Sequence, residues 1–243
     1  MDPRFLRTEM LLGREAMERL SSAHVCVLGL GGVGSWCAEA LARSGVGALT
    51  LMDQDTVEPS NLNRQAEALE STLGLPKAEA MALRVRDIAP ACRVRPVQGR
   101  YEAGTREEFF AGNYDYIVDA IDLVSCKLDL IETALARSIP VISALGTGNK
   151  LAPSLLRVSD LSQTQGCPLA RVVRKELRKR GILHHKVVWS PEEARTPSLP
   201  AGETPPPGRR SIPGSVMWVP AAAGLLLASE VVRDLTGTWE RRG

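Results

Sequence analysis

The stretch His24-Val25-Cys26-Val27-Leu28-Gly29-Leu30-Gly31-Gly32-Val33-Gly34 decides the fold. Residues 24–28 are a short, largely apolar, β-branched run ending on glycines, the pattern of a strand buried in a parallel sheet. Val33, Trp36, Cys37, Ala40 and Leu41 then recur at helical spacing, which predicts a helix with one apolar stripe, ended by Gly45 and Gly47. Residues 48–52 read as a second strand finishing at Asp53. In a strand–turn–helix unit, Gly29, Gly31, Gly32 and Gly34 allow a tight turn, and backbone N–H groups at the helix's amino end can approach a phosphate. Asp53 stands where a carboxylate can hydrogen-bond ribose hydroxyls. These features fit NAD as well as ATP, and glycines that merely make a turn are the plainer reading.

Outward from this unit the alternation continues, with a helix over 77–88, strands over 93–98 and 116–118, a helix over 125–137 and a strand over 141–143. Strands separated by helices of that length imply an α/β fold: a doubly wound, mostly parallel, Rossmann-like sheet covered on both faces. Residues 1–150 are expected to form a nucleotide-binding domain, and 151–243 an extension completing the sheet. The extension reads as a strand over 155–158, a basic helix over 169–180, a strand over 186–189 and an apolar helix over 219–235. Between 191 and 213 stand seven prolines, including Pro205-Pro206-Pro207, a composition that excludes regular structure and predicts an exposed flexible loop, above all over 196–211.

Composition narrows the class. With 44% apolar residues, 243 residues can fill a core. Thirty basic and 28 acidic side chains leave a net charge of +2, so affinity for an acidic partner must come from local clustering. The five cysteines, at 26, 37, 92, 126 and 167, form no C-x-x-C pair, which argues against a disulfide framework or structural zinc. Cys126 and Cys167, each at a predicted helix start, could carry reactive thiols, but buried packing is the simpler role. His24, His184 and His185 suggest no metal site. Arg4, Arg7, Glu9, Arg14 and Glu15 interrupt the first residues, unlike a signal peptide. The longest uncharged apolar run, 216–228, is thirteen residues long, contains Pro220, and suits a core helix better than a bilayer span. A cytoplasmic protein with no integral membrane segment is expected, with peripheral membrane association left open.

The next segment separates ATP from NAD: Asp53-Gln54-Asp55-Thr56-Val57-Glu58-Pro59-Ser60-Asn61-Leu62-Asn63-Arg64-Gln65. With Gly74-Leu75-Pro76-Lys77 and Val118-Asp119-Ala120-Ile121-Asp122, the chain resembles the ubiquitin-activating-like adenylating superfamily. Its members share a glycine loop, an acidic strand end, S-N-L-x-R-Q, G-x-P-K and a late aspartate. The resemblance implies Asp53 on the ribose, Asn61, Arg64 and Gln65 near the phosphates, Lys77 on the triphosphate, and Asp122 holding magnesium (Mg2+). Arg7, in Arg4-Phe5-Leu6-Arg7, matches an arginine that reaches the γ-phosphate of a partner subunit, which requires a homodimer. The chemistry is consistent: carboxylate attack on the α-phosphate builds negative charge there and on pyrophosphate, and fixed cations with a metal offset it.

Carrier-activating members usually bear two zinc-binding C-x-x-C pairs, absent here. The second half resembles instead the tRNA threonylcarbamoyladenosine dehydratase family, in Cys167-Pro168-Leu169-Ala170-Arg171-Val172-Val173-Arg174-Lys175-Glu176-Leu177-Arg178-Lys179-Arg180-Gly181 and Lys186-Val187-Val188-Trp189-Ser190. That likeness implies a tRNA substrate and not DNA, ATP-driven adenylation of the threonylcarbamoyl carboxylate, and ring closure with release of AMP. Sulfur-transfer or cysteine desulfurase proteins are a partner class it leaves open. Arg171, Arg174, Lys175 and Arg178 share a helix face at i, i+3, i+4 and i+7 and can follow a phosphate backbone, although a solvated face is the ordinary reading of such a run. Arg209 and Arg210 could extend the footprint. With aromatics at 4%, phosphate contacts should dominate RNA binding. Adenylation of a sulfur-carrier protein, a non-catalytic nucleotide sensor and an NAD-dependent oxidoreductase stand as alternatives.

Overall fold

The computed structural model describes residues 2–198 and 213–239. Two helices the sequence reading did not specify come first: α1 (Leu6–Leu12) and α2 (Arg14–Ser22), joined at Gly13. There follow β1 (His24–Leu28), α3 (Gly34–Arg43), β2 (Ala48–Asp53), α4 (Lys77–Ile88), β3 (Arg93–Gln98), α5 (Arg106–Phe110), β4 (Tyr116–Asp119) and α6 (Val124–Ala136). The chain continues through β5 (Val141–Ala144), β6 (Arg157–Asp160), α7 (Pro168–Lys179), β7 (Lys186–Trp189) and α8 (Trp218–Thr236).

The seven strands form one sheet in the order β3-β2-β1-β4-β5-β7-β6. Every pair is parallel except β6 with β7, where Arg157 faces Trp189 in antiparallel register. β6 begins two residues later than its apolar pattern suggests. Pro153 opens a 3-10 turn over Pro153–Leu155, and a ring-locked φ suits that turn better than a strand interior.

Alternation along β1 shows why both faces are covered. Val25 and Val27 enter a core with Cys37, Leu41, Met81, Val85 and Leu227, while Cys26 and Leu28 enter another with Tyr101, Phe109, Ile117 and Leu130. α3 is buried on more than the single expected stripe, through Cys37, Ala38, Leu41 and Ala42, because α8 packs on its far side. The apolar run at 216–228 thus becomes a core helix, and among the described residues no helix is long and apolar enough to cross a membrane. α8 is tied to the sheet by the Tyr116 hydroxyl, which donates to Asp234 Oδ2 at 2.7 Å.

The proline-rich segment has neither helix nor strand over 191–198. Its near end is nonetheless fastened. Glu192 accepts the N–H groups of Leu151 and Ala152 at 2.8 and 3.0 Å, and Arg195 N–H donates to Asn149 O at 2.8 Å. Asn149 also accepts, through Oδ1, from Gly214 N–H at 2.6 Å, so one residue holds both sides of the loop's base. The triple proline, Arg209 and Arg210 lie outside the described residues.

Candidate active site

The carboxyl ends of β1 and β4 lie side by side where the connections diverge: β1 leads through α3 to β2 on one side, and β4 through α6 to β5 on the other. Ligands of doubly wound sheets bind in the crevice such a divergence opens. The glycine loop crosses it with little clearance. At Gly29 (φ +84°) a Cβ would stand 2.6 Å from Ala120 O, and at Gly34 it would stand 1.8 Å from Gly29 O, so neither position admits another residue. The outer side is open. A Cβ at Gly31 would meet nothing nearer than Gln65 Nε2 at 3.9 Å, while Gly32 lies beneath Arg64, whose Cγ would be 3.2 Å from a Cβ there. Residues more than 30 positions apart in sequence are therefore gathered over one loop.

Side chains stitch this arrangement together. Asp53 Oδ2 accepts from Leu30 N–H at 2.6 Å and Oδ1 from Asp55 N–H at 2.8 Å, which pins the glycine loop to the end of β2. Each carboxylate oxygen can accept more than one hydrogen bond, so capacity for ligand hydroxyls remains. Ser35 donates to Gly31 O at 2.7 Å and accepts from Ala66 N–H at 3.1 Å, and Trp36 Nε1 donates to Arg64 O at 2.9 Å. Asn61 is buried and works within its own turn: Oδ1 accepts from Glu58 N–H at 3.1 Å and Nδ2 donates to Ser60 Oγ at 3.3 Å. Arg64 Nη1 donates to Ser60 O and Asn63 Oδ1, both at 2.9 Å, which aims the guanidinium without using its other donors. Gln65 Oε1 is buried with no hydrogen-bond partner among the described residues. An unmet buried acceptor costs about 1–3 kcal/mol, so a ligand donor there would be favourable.

Lys77 opens α4, and its side chain is 8% exposed, with Nζ 3.3 Å from Asp55 Oδ2. Asp122 is exposed on the turn between β4 and α6. Among the described residues no three His, Cys, Asp or Glu side chains cluster as a metal cage, so magnesium at Asp122 would take its remaining ligands from phosphate and water. An open glycine cradle, the Gln65 Nε2 donor that faces Gly31 and two cations beside it fit a nucleotide triphosphate. Arg7 stands elsewhere. It is exposed on α1, and Phe5, two residues before it, packs over Gly45 beyond the carboxyl end of α3. Ten residues of α3, about 15 Å of helix, separate that end from the glycine loop.

Glu67 escaped the sequence reading. It is 1% exposed, neither carboxylate oxygen has a hydrogen-bond partner among the described residues, and burial pushes its pKa up to about 8 against the opposing pull of Lys77. The folded protein therefore holds this proton between pH 4.5 and 8 where the unfolded chain has lost it, and stability falls as pH rises through that window. Glu67→Gln is expected to raise the melting temperature at pH 8–9 and leave it nearly unchanged near pH 5; an equal shift at both would show that the carboxyl does not titrate in this range. The one signal in sequence was an acid amid alanines directly after Arg64-Gln65.

The basic face of α7 lies apart from the glycine loop, on the part of the chain that follows β6. Val173 and Leu177 are buried against the core over α6, leaving Arg171, Arg174, Lys175, Arg178 and Lys179 to line one shallow cleft. Arg174 is partly committed, since Nη1 donates to Thr164 O at 2.7 Å. Cys167 caps the helix, accepting from Ala170 N–H, and all five cysteines are buried and free.

A ThiF family model matches residues 5–242. The tRNA threonylcarbamoyladenosine dehydratase of Bacillus subtilis (strain 168) is 42% identical over 238 residues, 95% of this chain and 94% of that protein. The crystal structure of the E. coli tRNA N6-threonylcarbamoyladenosine dehydratase in complex with ATP superposes with a TM-score of 0.87 at 36% identity, covering 99% of this chain and 96% of that one. The molybdopterin-synthase adenylyltransferase of Salmonella typhimurium is 37% identical over 53% of this chain and 51% of its own length.

Proposed function

This chain belongs to the ThiF family, and from that premise we propose that it is an ATP-dependent tRNA threonylcarbamoyladenosine dehydratase. One observation carries the reading: the likeness to the Bacillus subtilis dehydratase and to the E. coli dehydratase structure runs nearly end to end in both chains, whereas the likeness to the molybdopterin-synthase adenylyltransferase stops at about half of each.

The reaction we assign has two steps. A carboxylate oxygen of the threonylcarbamoyl group on tRNA attacks the α-phosphate of ATP, and pyrophosphate leaves. A nitrogen of the neighbouring ureido group then attacks the acyl carbon, closing a five-membered ring; AMP leaves and the nitrogen gives up its proton. No protein nucleophile is needed, since well-oriented intramolecular attack reaches effective molarities of roughly 10⁵ M or more.

The chain's residues take these roles. The backbone at Gly29, Gly31, Gly32 and Gly34 approaches the phosphates, Asp53 accepts from ribose hydroxyls, and Gln65 lies near the phosphates through the Nε2 that faces Gly31. Asn61 shapes the turn that presents Arg64. Arg64 and Lys77 meet the charge that grows on the α-phosphate and on pyrophosphate, where fixed cations are worth most. Asp122 would hold magnesium, which supplies further positive charge when bound. Arg7 acts on a second copy of the chain in a homodimer, a role favoured by its distance from its own glycine loop and by its neighbours Leu6, Met10 and Leu11, which are 50%, 77% and 88% exposed. Residues 1–150 hold the nucleotide, and 151–243 complete the sheet and present α7 to RNA. A cytoplasmic setting follows from a tRNA substrate; sulfur-transfer proteins remain a candidate partner class.

The decisive experiment incubates the protein with ATP, magnesium and threonylcarbamoylated tRNA and weighs the digested nucleoside. A loss of one water is expected; unchanged mass with AMP transferred to a small carrier protein would overturn the assignment. For α7, the triple variant Arg171→Gln, Lys175→Gln, Arg178→Gln is expected to weaken tRNA binding on the order of tenfold at 0.1 M salt and to flatten its salt dependence, each lost phosphate contact reducing the slope by about 0.7–0.9. An unchanged slope would place the RNA elsewhere.

A further inference from the structure

Behind the Asp122 turn lies a buried ionic chain that the assigned roles leave unused. Asp119, the last residue of β4, and Lys127, on the first turn of α6, are both fully buried, with Lys127 Nζ 2.6 Å from Asp119 Oδ2. The ammonium also donates to Ala144 O at 3.1 Å. Ser143 Oγ donates to the same Asp119 oxygen at 2.6 Å and contacts His185 Nε2 at 2.7 Å. Burial and the nearby Lys127 charge drive the His185 pKa down to about 3, so its ring is neutral. With Ser143 donating to Asp119, Nε2–H is the donor to Ser143. The chain then has one direction, from His185 through Ser143 to a carboxylate balanced by Lys127.

Its output is on the other carboxylate oxygen. Asp119 Oδ1 accepts the N–H of Ile121 at 3.0 Å, while Ala120 N–H donates to Leu28 O at 2.9 Å and Ala120 O closes on Gly29. Asp119 and Lys127 bracket the turn that carries Asp122, one at each end. A buried ion pair adds little net stability compared with apolar residues of similar volume, so its use here calls for a reason other than folding energy. A carboxylate held by two donors on one oxygen cannot rotate freely, and its second oxygen becomes a fixed acceptor.

We propose that the Lys127–Asp119 pair is a positioning device that, through the Ile121 N–H, holds the Asp122 turn at the spacing from the glycine loop that adenylation requires. This rests on the reading of Asp122 as part of the ATP site. Lys127 and Asp119 are positioning residues, since neither reaches solvent or substrate.

Two double variants separate positioning from charge and from folding. Lys127→Met with Asp119→Leu removes both charges and the acceptor for Ile121, at similar volume. Lys127→Met with Asp119→Asn removes the charges but keeps an oxygen for Ile121. AMP-forming turnover per ATP-binding site is expected to fall on the order of 30-fold in the leucine variant, with ATP affinity changed less than about threefold, and to return to within about fivefold of the parent in the asparagine variant. A purely structural role would lower the number of binding sites without changing turnover at each. Turnover within about threefold of the parent in the leucine variant, or equal losses in both variants, would overturn the proposal. Amide exchange in the parent protein gives a test that needs no variant: the Ile121 N–H is expected to be strongly protected, and exchange at the rate of an open loop would also overturn it. Asp122→Ala is run alongside. If it turns over normally, the reading of the turn and the proposal fall together; if it is inactive while the leucine variant matches the parent, the positioning role alone fails.

Discussion

Lys77→Met is expected to lower AMP formation by roughly 10³-fold while the protein stays folded. The ammonium sits at the start of α4 with its stem buried, and methionine can fill the space of that stem. Little stability is at stake in the lost contact to Asp55, which is 3.3 Å away and whose side chain, 58% exposed, leaves the pair screened by water on one side. The chemistry loses far more. Charge on the α-phosphate and departing pyrophosphate rises toward the transition state, and a preorganised cation in a partly dry site stabilises that rise more than it stabilises bound ATP. ATP affinity measured by calorimetry is therefore expected to weaken less than turnover. A variant that keeps turnover within tenfold of the parent would place the triphosphate away from α4.

The second large effect is a recovery. Arg7→Ala and Asp122→Ala are each expected to be nearly inactive as pure proteins, yet an equal mixture allowed to exchange subunits should regain about a quarter of parental activity. The arithmetic follows from twofold symmetry. Half of the dimers are mixed, and each mixed dimer has one site with Asp122 from one subunit and Arg7 from the other, both intact. Exposed Leu6, Met10 and Leu11 on the helix carrying Arg7 offer an apolar surface on which a second copy can sit. No recovery on mixing, with subunit exchange verified, would assign Arg7 to its own chain or to no catalytic role.

Much of the architecture was legible because it depends on local patterns. A short apolar β-branched run marked β1, helical apolar spacing marked α3, and the glycines between them marked the turn, signals each contained within a few residues. The strand expected from residue 155 starts at Arg157, because Pro153–Leu155 form a 3-10 turn before it. α5 gave too short a signal; its Phe109 and Phe110 matter because they meet Tyr101 edge to face at 5.0 and 6.2 Å, a contact that neither helical nor strand periodicity reveals. In the site, residue types and order pointed to phosphate chemistry, yet nothing in the order of residues said that Arg64 would cover Gly32.

What the sequence determined alone, then, is the doubly wound sheet and the place of the glycine loop at a strand–helix junction, which follow from periodicity and backbone sterics. The charged residues suited to a triphosphate were picked out by the resemblance to the adenylating superfamily, with which their side-chain chemistry is consistent. Only the tertiary structure decided which groups meet at the crevice and which do not: Gln65 turns its Nε2 to Gly31 and leaves its Oε1 unmet, the helix carrying Arg7 packs beyond the far end of α3, and the Lys127–Asp119 pair lies behind the Asp122 turn. The physical reason is that burial and hydrogen-bond satisfaction belong to the packed assembly. A lysine such as Lys127 reads in sequence as an interruption of an apolar helix face, and becomes a positioning charge once β4 brings a carboxylate within 2.6 Å.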